Sequence, residues 1–171
     1  MQRRTLLRGL VALLAVPVIP ARTRASDAPA PDFQSLHKTE AEWKALLEPA
    51  RYRVLFEEDT EHPYSSPLNN EKHAGTFVCA ACFLPLFSSK NKFDSGTGWP
   101  SFTQPIVASH IGTKKDFKLV VPRTEYHCAR CGGHQGHVFD DGPAPRGERW
   151  CNNGLALVFV AEADPLPTLR T

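Results

Sequence analysis

Two short segments carry paired thiols, Cys79-Ala-Ala-Cys82 and Cys128-Ala-Arg-Cys131. One C-x-x-C turn presents two thiolates to the same side, and two such turns make a tetrahedral sulfur cage for zinc. Gly132-Gly133, directly after the second pair, supplies the positive φ that such a knuckle needs. Two disulfides are the rival arrangement, open to a chain that leaves the cytoplasm. A redox-active C-x-x-C is usually followed by a helix, and no helical period follows either pair. The pairs lie too far apart for a compact zinc ribbon, so strands must bring them together. With four thiolate ligands the cage has no open position, which makes its metal structural rather than catalytic.

That count isolates Cys151, in Arg149-Trp-Cys-Asn-Asn-Gly154. A lone cysteine is most often an inert, buried small hydrophobe. Arg149, two residues away, shares its strand face and favours the thiolate, and the amides of Asn152 and Asn153 are unusual company for an apolar core position. A Pro/Gly-rich loop, Asp140 to Glu148, joins this segment to His134-Gln-Gly-His137. If the flanking segments pair as antiparallel strands, His137 and Cys151 are symmetric about Ala144 and face each other. A one-residue slip would part them. Cysteine facing histidine across a hairpin is an activated-nucleophile arrangement. His134 and His137 have a spacing open to metal ligands, but the cage already has four sulfurs. The H-x-E and P-C-x-x-C elements of a zinc deaminase and the G-x-S-x-G elbow of a hydrolase are absent.

The elements that must position these groups are mostly strands. Thr39-Glu-Ala-Glu42 is a capping box, with Trp43, Leu46 and Leu47 at helical spacing behind it and Pro49 ending the helix. A second short helix is expected over Arg51 to Phe56, then loop from Thr60 to Ala74. Beyond Gly75 the chain breaks into short apolar or alternating runs, and strands are expected at Thr76–Cys79, Ile106–Ile111, Phe117–Val121, Val138–Phe139 and Leu155–Val160. The residues alone predict one β-rich domain with a helical front.

The chain has 171 residues, 42% of them hydrophobic and 22% charged, enough for one domain with a core and too few for two ordinary ones. Of its 20 Lys and Arg, five are Arg3, Arg4, Arg8, Arg22 and Arg24; the other 15 face 18 acidic residues. The body is therefore slightly acidic, which removes the electrostatic case for nucleic acid or anionic membrane. The basic start, the apolar run from Leu10 to Ile19 and Thr23-Arg24-Ala25 form an export signal over residues 1–25. Arg3-Arg4 followed by Leu6-Leu7-Arg8 resembles the twin-arginine type, and the apolar run is too short to span a bilayer. A disordered linker over 26–34, a domain over 35–165 and a C-terminal tail over 166–171 complete the expected organisation. The location expected is the periplasm, as a monomer without stable membrane association once the signal is removed.

Together the motifs resemble the methionine-R-sulfoxide reductases of the MsrB type, over about residues 36–161. The resemblance rests on Glu42-Trp43, Thr60-Glu61, both C-x-x-C pairs, Phe93-Asp-Ser-Gly-Thr-Gly-Trp-Pro-Ser-Phe102, Arg123-Thr-Glu125, Gly136-His-Val-Phe-Asp-Asp-Gly-Pro143 and Arg149-Trp-Cys151. It implies a mainly β fold of two antiparallel sheets with short N-terminal helices and a structural zinc on Cys79, Cys82, Cys128 and Cys131. It implies that Cys151 attacks the sulfoxide sulfur and becomes a sulfenic acid, with His134, His137 and Asn153 around the sulfoxide oxygen. Trp99 resembles the indole wall against the substrate methyl group, and Arg149 is expected beside the substrate. The implied substrate is methionine-R-sulfoxide, chiefly in oxidised proteins. Thr97 stands where many members carry a resolving cysteine, which implies recycling by an external thiol, thioredoxin-like or small. Gln135 stands where Leu is common, and Trp150 and Asn152 also depart from the usual residues. From a different class, the alternative is a zinc-stapled binding module in which Cys151 is inert. Within the enzyme class, a peroxide-reacting thiol protein is the weaker alternative.

Overall fold

The computed structural model describes residues 32–119 and 121–171. The expected export signal and linker residues 26–31 lie outside them. Helix α1 (Glu40–Leu46) begins at Thr39, whose hydroxyl accepts the Glu42 N–H while the Glu42 carboxylate accepts the Thr39 N–H; this is the capping box the sequence announces. Pro49 both ends that stretch and opens α2 (Pro49–Phe56) at a first-turn position, where a missing N–H costs nothing. Trp43 stacks on Phe56 with ring centroids 4.8 Å apart, which fastens the two helices together.

The strands in chain order are β1 (Gly75–Cys79), β2 (Pro85–Ser88), β3 (Lys92–Phe93), β4 (Ser101–Phe102), β5 (Ile111–Asp116), β6 (Arg123–Cys128), β7 (His134–Phe139), β8 (Arg149–Asn152) and β9 (Leu157–Ala161). They form two antiparallel sheets, a three-stranded one ordered β2-β1-β9 and a six-stranded one ordered β3-β4-β8-β7-β6-β5. Fully buried rings join the sheets: Phe87 of the first stacks on Phe102 of the second at 4.4 Å, and Phe77 meets Phe102 edge-on at 5.0 Å.

Two of the expected strands are not strands. Ile106 and Val107 lead into a 3₁₀ turn over Ala108–His110, and Phe117, Leu119 and Val121 lie exposed in the connection between β5 and β6. The strand is instead the polar run Ile-Gly-Thr-Lys-Lys-Asp116. It lies at the sheet's edge with Thr113, Lys114 and Lys115 facing water, so backbone pairing with β6 makes the strand without an apolar face. The first and last described residues lie against the domain. Phe33 packs edge-on against buried His110, and Asp32 reaches that ring's Nε2 at 3.1 Å. At the other end Arg170 donates its backbone N–H to the Cys82 carbonyl and lies over the Phe83 ring.

Candidate active site and metal centre

The two C-x-x-C turns have the same backbone. In the first, Phe83 N–H bonds Cys79 O and Cys79 N–H bonds Leu84 O; in the second, Gly132 N–H bonds Cys128 O and Cys128 N–H bonds Gly133 O, all at 2.9 Å. The residue after each second cysteine has positive φ, 75° at Gly132 and 65° at Phe83. Phe83 holds this left-handed conformation under the guanidinium of Arg170. The four Sγ atoms lie within 4.8 Å of one another, with Cys79–Cys131 at 3.7 Å and Cys82–Cys128 at 3.5 Å. All four are free cysteines, with their sulfurs spaced as cage ligands rather than as bonded pairs. Metal–sulfur bonds of about 2.3 Å place tetrahedral ligands about 3.8 Å apart, and the cage fits a metal ion of that kind. Gln135, fully buried, directs its Nε2–H at the Cys79 sulfur, 3.5 Å away.

A pocket of about 110 Å³ is walled by Thr60, Trp99, Arg123, His137, Phe139 and Cys151 among others. In the β7–β8 ladder His137 is the direct partner of Cys151, and Gly136 pairs with Asn152; this is the register symmetric about Ala144. A Cβ at Gly136 would meet the Cys151 carbonyl oxygen at 1.9 Å, so only glycine lets the strands close there. Burial pushes the Cys151 thiol up, while the Arg149 guanidinium and the hydroxyls of Thr97 and Ser101 pull it down.

Each histidine is backed by a buried carboxylate. His137 Nε2 lies 2.8 Å from Asp116 Oδ2, and Asp116 also receives the Arg123 guanidinium and the Lys118 N–H. Burial pushes His137 below the ordinary imidazole range, and Asp116 opposes that. His134 does not line the pocket. It sits behind His137, ring centroids 5.5 Å apart, with Nδ1 3.0 Å from Glu125 Oε1.

Glu61 connects two further site residues. Its carbonyl accepts the Trp99 indole N–H at 3.1 Å, and its N–H donates to Asn153 Oδ1 at 3.2 Å. Its buried carboxylate accepts the N–H groups of Gly154 and Leu155. Asn153 Nδ2 donates to the Gln135 carbonyl at 3.1 Å. With both amide atoms engaged the orientation of Asn153 is fixed, and its second N–H is left for a ligand. Arg149 is not a pocket wall as expected. It forms a two-pronged bond to Asp141, 2.7 and 2.8 Å, and lies over Phe139, which is a wall.

The structure therefore brings Cys151, His137, Asn153 and Trp99 together, and sets His134 and Arg149 one layer out. Sequence reasoning missed Asp116, Glu125 and Glu61. Glu61 and Glu125 stand in motifs that carry the family resemblance, whereas nothing in the sequence marks Asp116. A half-buried thiol opposite an imidazole, in a pocket shared with an indole, on a chain that also carries a sulfur cage, marks a thiol-based oxidoreductase on a two-sheet β scaffold.

The SelR domain model matches residues 47–161. A peptide methionine sulfoxide reductase MsrB of Methanosarcina barkeri is 47% identical over 131 residues, covering 77% of this chain and 92% of its own. The protein of the same name from Bradyrhizobium diazoefficiens is 52% identical over 120 residues, 70% of this chain and 86% of its own. The one from Pseudomonas putida is 48% identical over 127 residues, 74% and 96%. The chain belongs to the MsrB family of peptide methionine sulfoxide reductases.

Proposed function

We propose that this protein reduces the R epimer of methionine sulfoxide, chiefly in oxidised proteins, with Cys151 as nucleophile. The observation that carries the proposal is the direct cross-strand pairing of His137 with Cys151 in a pocket walled by Trp99. An indole face suits an apolar CH₃–S group. The neutral imidazole takes the thiol proton as sulfur attacks sulfur, then returns it to the oxygen, which passes to the Cys151 sulfur as the S–S bond breaks and methionine leaves. The balance is Cys151–SH plus sulfoxide giving Cys151–SOH plus methionine, with two electrons leaving the cysteine sulfur and entering the sulfoxide sulfur. Asn153 offers its free N–H toward that oxygen, and Asp116 holds the imidazole in place. His134, with Glu125 behind it, supports His137 from the rear.

Thr97 occupies the position of the resolving cysteine, and the other four cysteines lie in the cage. Two equivalents of an external thiol then reduce the sulfenic acid to thiol and water and leave as a disulfide. Zinc is the metal we assign to Cys79, Cys82, Cys128 and Cys131; bound there, it ties the two knuckles together. The basic, apolar leader supports export, with the periplasm as the proposed location.

A reductant-free single turnover with each epimer supplied separately tests the proposal. The expected result is one methionine per protein from the R epimer alone, with one oxygen gained at Cys151. Loss of two hydrogens with release of metal would instead make a cage cysteine the resolver. No methionine from either epimer would leave the binding-module alternative. Cys151→Ser separates the two classes again, since the enzyme loses all turnover while keeping its metal and fold.

A further inference from the structure

Three hydroxyls cluster beside Cys151, all from the segment that carries Trp99. Ser95 Oγ lies 2.8 Å from Thr97 Oγ1 and 2.8 Å from Ser101 Oγ. Ser101 is fully buried, is the direct partner of Cys151 in the β4–β8 ladder, and also reaches the Trp99 carbonyl at 3.1 Å. Ser101 faces Cys151 across the ladder, and the Thr97 and Ser101 hydroxyls both pull the thiol's pKa down, whereas Ser95 bonds only the two hydroxyls. The loop is held in place: the Tyr64 phenol donates to the Gly96 carbonyl at 2.7 Å, and the Gly96 N–H to Asp94 at 2.9 Å.

A hydroxyl has one proton and can accept two more bonds. While Cys151 is a thiol, sulfur can donate to one of its neighbours, and the Ser101 proton is free to point at the Trp99 carbonyl. Once the sulfur is a thiolate it only accepts, so Thr97 and Ser101 must both turn their protons toward it. Their oxygens then need to be held at the right place and supplied with a donor. Ser95, between them and within bonding distance of both, has one O–H, which it gives to either oxygen or shares between the two.

We propose that Ser95 is a positioning residue that aims the Thr97 and Ser101 hydroxyls at Cys151, so that the pair forms a two-donor receptor for the thiolate. The proposal rests on Cys151 being the nucleophile. It gives Thr97 a task beyond the absence of a resolving thiol. The donors that hold the anion also face the oxygen that the sulfur acquires, and hold it until an external thiol arrives. Burial works against the thiolate at this position. Hydrogen bonds to a charged acceptor are about twice as strong as neutral ones, so two aimed hydroxyls weigh against that burial where two free rotors would not.

The test is the pH dependence of Cys151 alkylation by iodoacetamide in the full-length protein, followed at the Cys151 peptide by mass spectrometry. It is compared for wild type, Ser95→Ala and Ser95→Thr, with metal content as a control for folding. Ser95→Ala is expected to move the midpoint up by about one pH unit, the scale of one hydrogen bond to a charged group. Ser95→Thr, which keeps the hydroxyl, should return it to the wild-type position. Turnover of methionine-R-sulfoxide by Ser95→Ala should show a lower kcat near neutral pH with unchanged KM. A Ser95→Ala profile superimposed on wild type, or one that Ser95→Thr fails to restore, overturns the proposal. The alkylation experiment needs no sulfoxide. A shifted midpoint in a protein that reduces neither epimer would therefore sustain the receptor while removing the reductase reading.

Discussion

Oδ2 of Asp116 lies 2.8 Å from Nε2 of His137, and His137 is the cross-strand partner of Cys151. The two residues sit on β5 and β7, with β6 between them, so the carboxylate reaches over a strand to hold the ring. Burial lowers the pKa of His137 and Asp116 raises it, while Arg123 lowers it and is itself neutralised by Asp116.

Asp116→Asn should therefore let the imidazole fall further below its ordinary value, on two counts. The carboxylate no longer stabilises the imidazolium, and the Arg123 charge is no longer offset. Because the proposed mechanism needs the neutral ring to accept the thiol proton, the acidic limb of the kcat/KM profile should move to lower pH. The imidazolium that must form during the reaction is also less stable, so kcat should drop by about 10²-fold, at the low end of general acid–base effects. A pH–rate series on the two proteins checks both. An acidic limb that stays in place would mean that His137 is not the titrating group.

The His137–Cys151 pair is legible in the sequence because Pro and Gly mark the loop, and register on either side follows from symmetry about Ala144. The metal cage is legible because spacing alone defines a knuckle. Asp116 is not, since it meets His137 from 21 positions away through a strand whose polar sequence gives no strand signal. Glu61 meets Asn153 across 92 positions and uses its own backbone for half of its contacts; a side-chain pattern has no means of recording that. Arg149 favours the Cys151 thiolate, as its place on the strand implies; its second partner, Asp141, is not legible because it lies in the loop whose fold the sequence leaves open.

Glu61→Ala leaves the N–H groups of Gly154 and Leu155 without their acceptor next to a buried site. An orphaned buried N–H costs about 1–3 kcal/mol, so a destabilisation of about 2–4 kcal/mol is expected in urea unfolding. The turn that carries Asn153 and the contact that holds Trp99 should both loosen. A displacement of about 1 Å at such groups costs about 10²-fold in rate. Reduced kcat/KM at temperatures where the variant is fully folded is the outcome that distinguishes positioning from stability alone.

Gln135→Leu removes the N–H···S contact to Cys79 and, with it, an Oε1 that has no hydrogen-bond partner among the described residues. These effects have opposite signs for different observables. Thermal stability should hold or rise, because a buried unsatisfied oxygen is replaced by an apolar group of similar size. Metal should leave faster, by about tenfold, because outer contacts to ligand atoms typically carry that much affinity. Release into a chromogenic chelator measures the second, and equal release rates would remove Gln135 from any role at the cage.

Thr97 is joined through Ser95 to Ser101, the strand partner of Cys151, and its hydroxyl pulls the Cys151 thiol down, so Thr97→Cys would bring a second sulfur toward the proposed nucleophile. A sulfenic acid condenses with a neighbouring thiol to give a disulfide and water. After one turnover without reductant, wild-type protein should be heavier by one oxygen, and Thr97→Cys should be lighter by two hydrogens with its metal retained. The variant should then be recycled by a dithiol that attacks disulfides and lose its dependence on a thiol that attacks the sulfenic acid. Intact-protein mass spectrometry, with a metal assay on the same sample, reads the outcome. A Thr97→Cys protein that still carries the oxygen would show that the loop holds position 97 at a geometry unsuited to a disulfide.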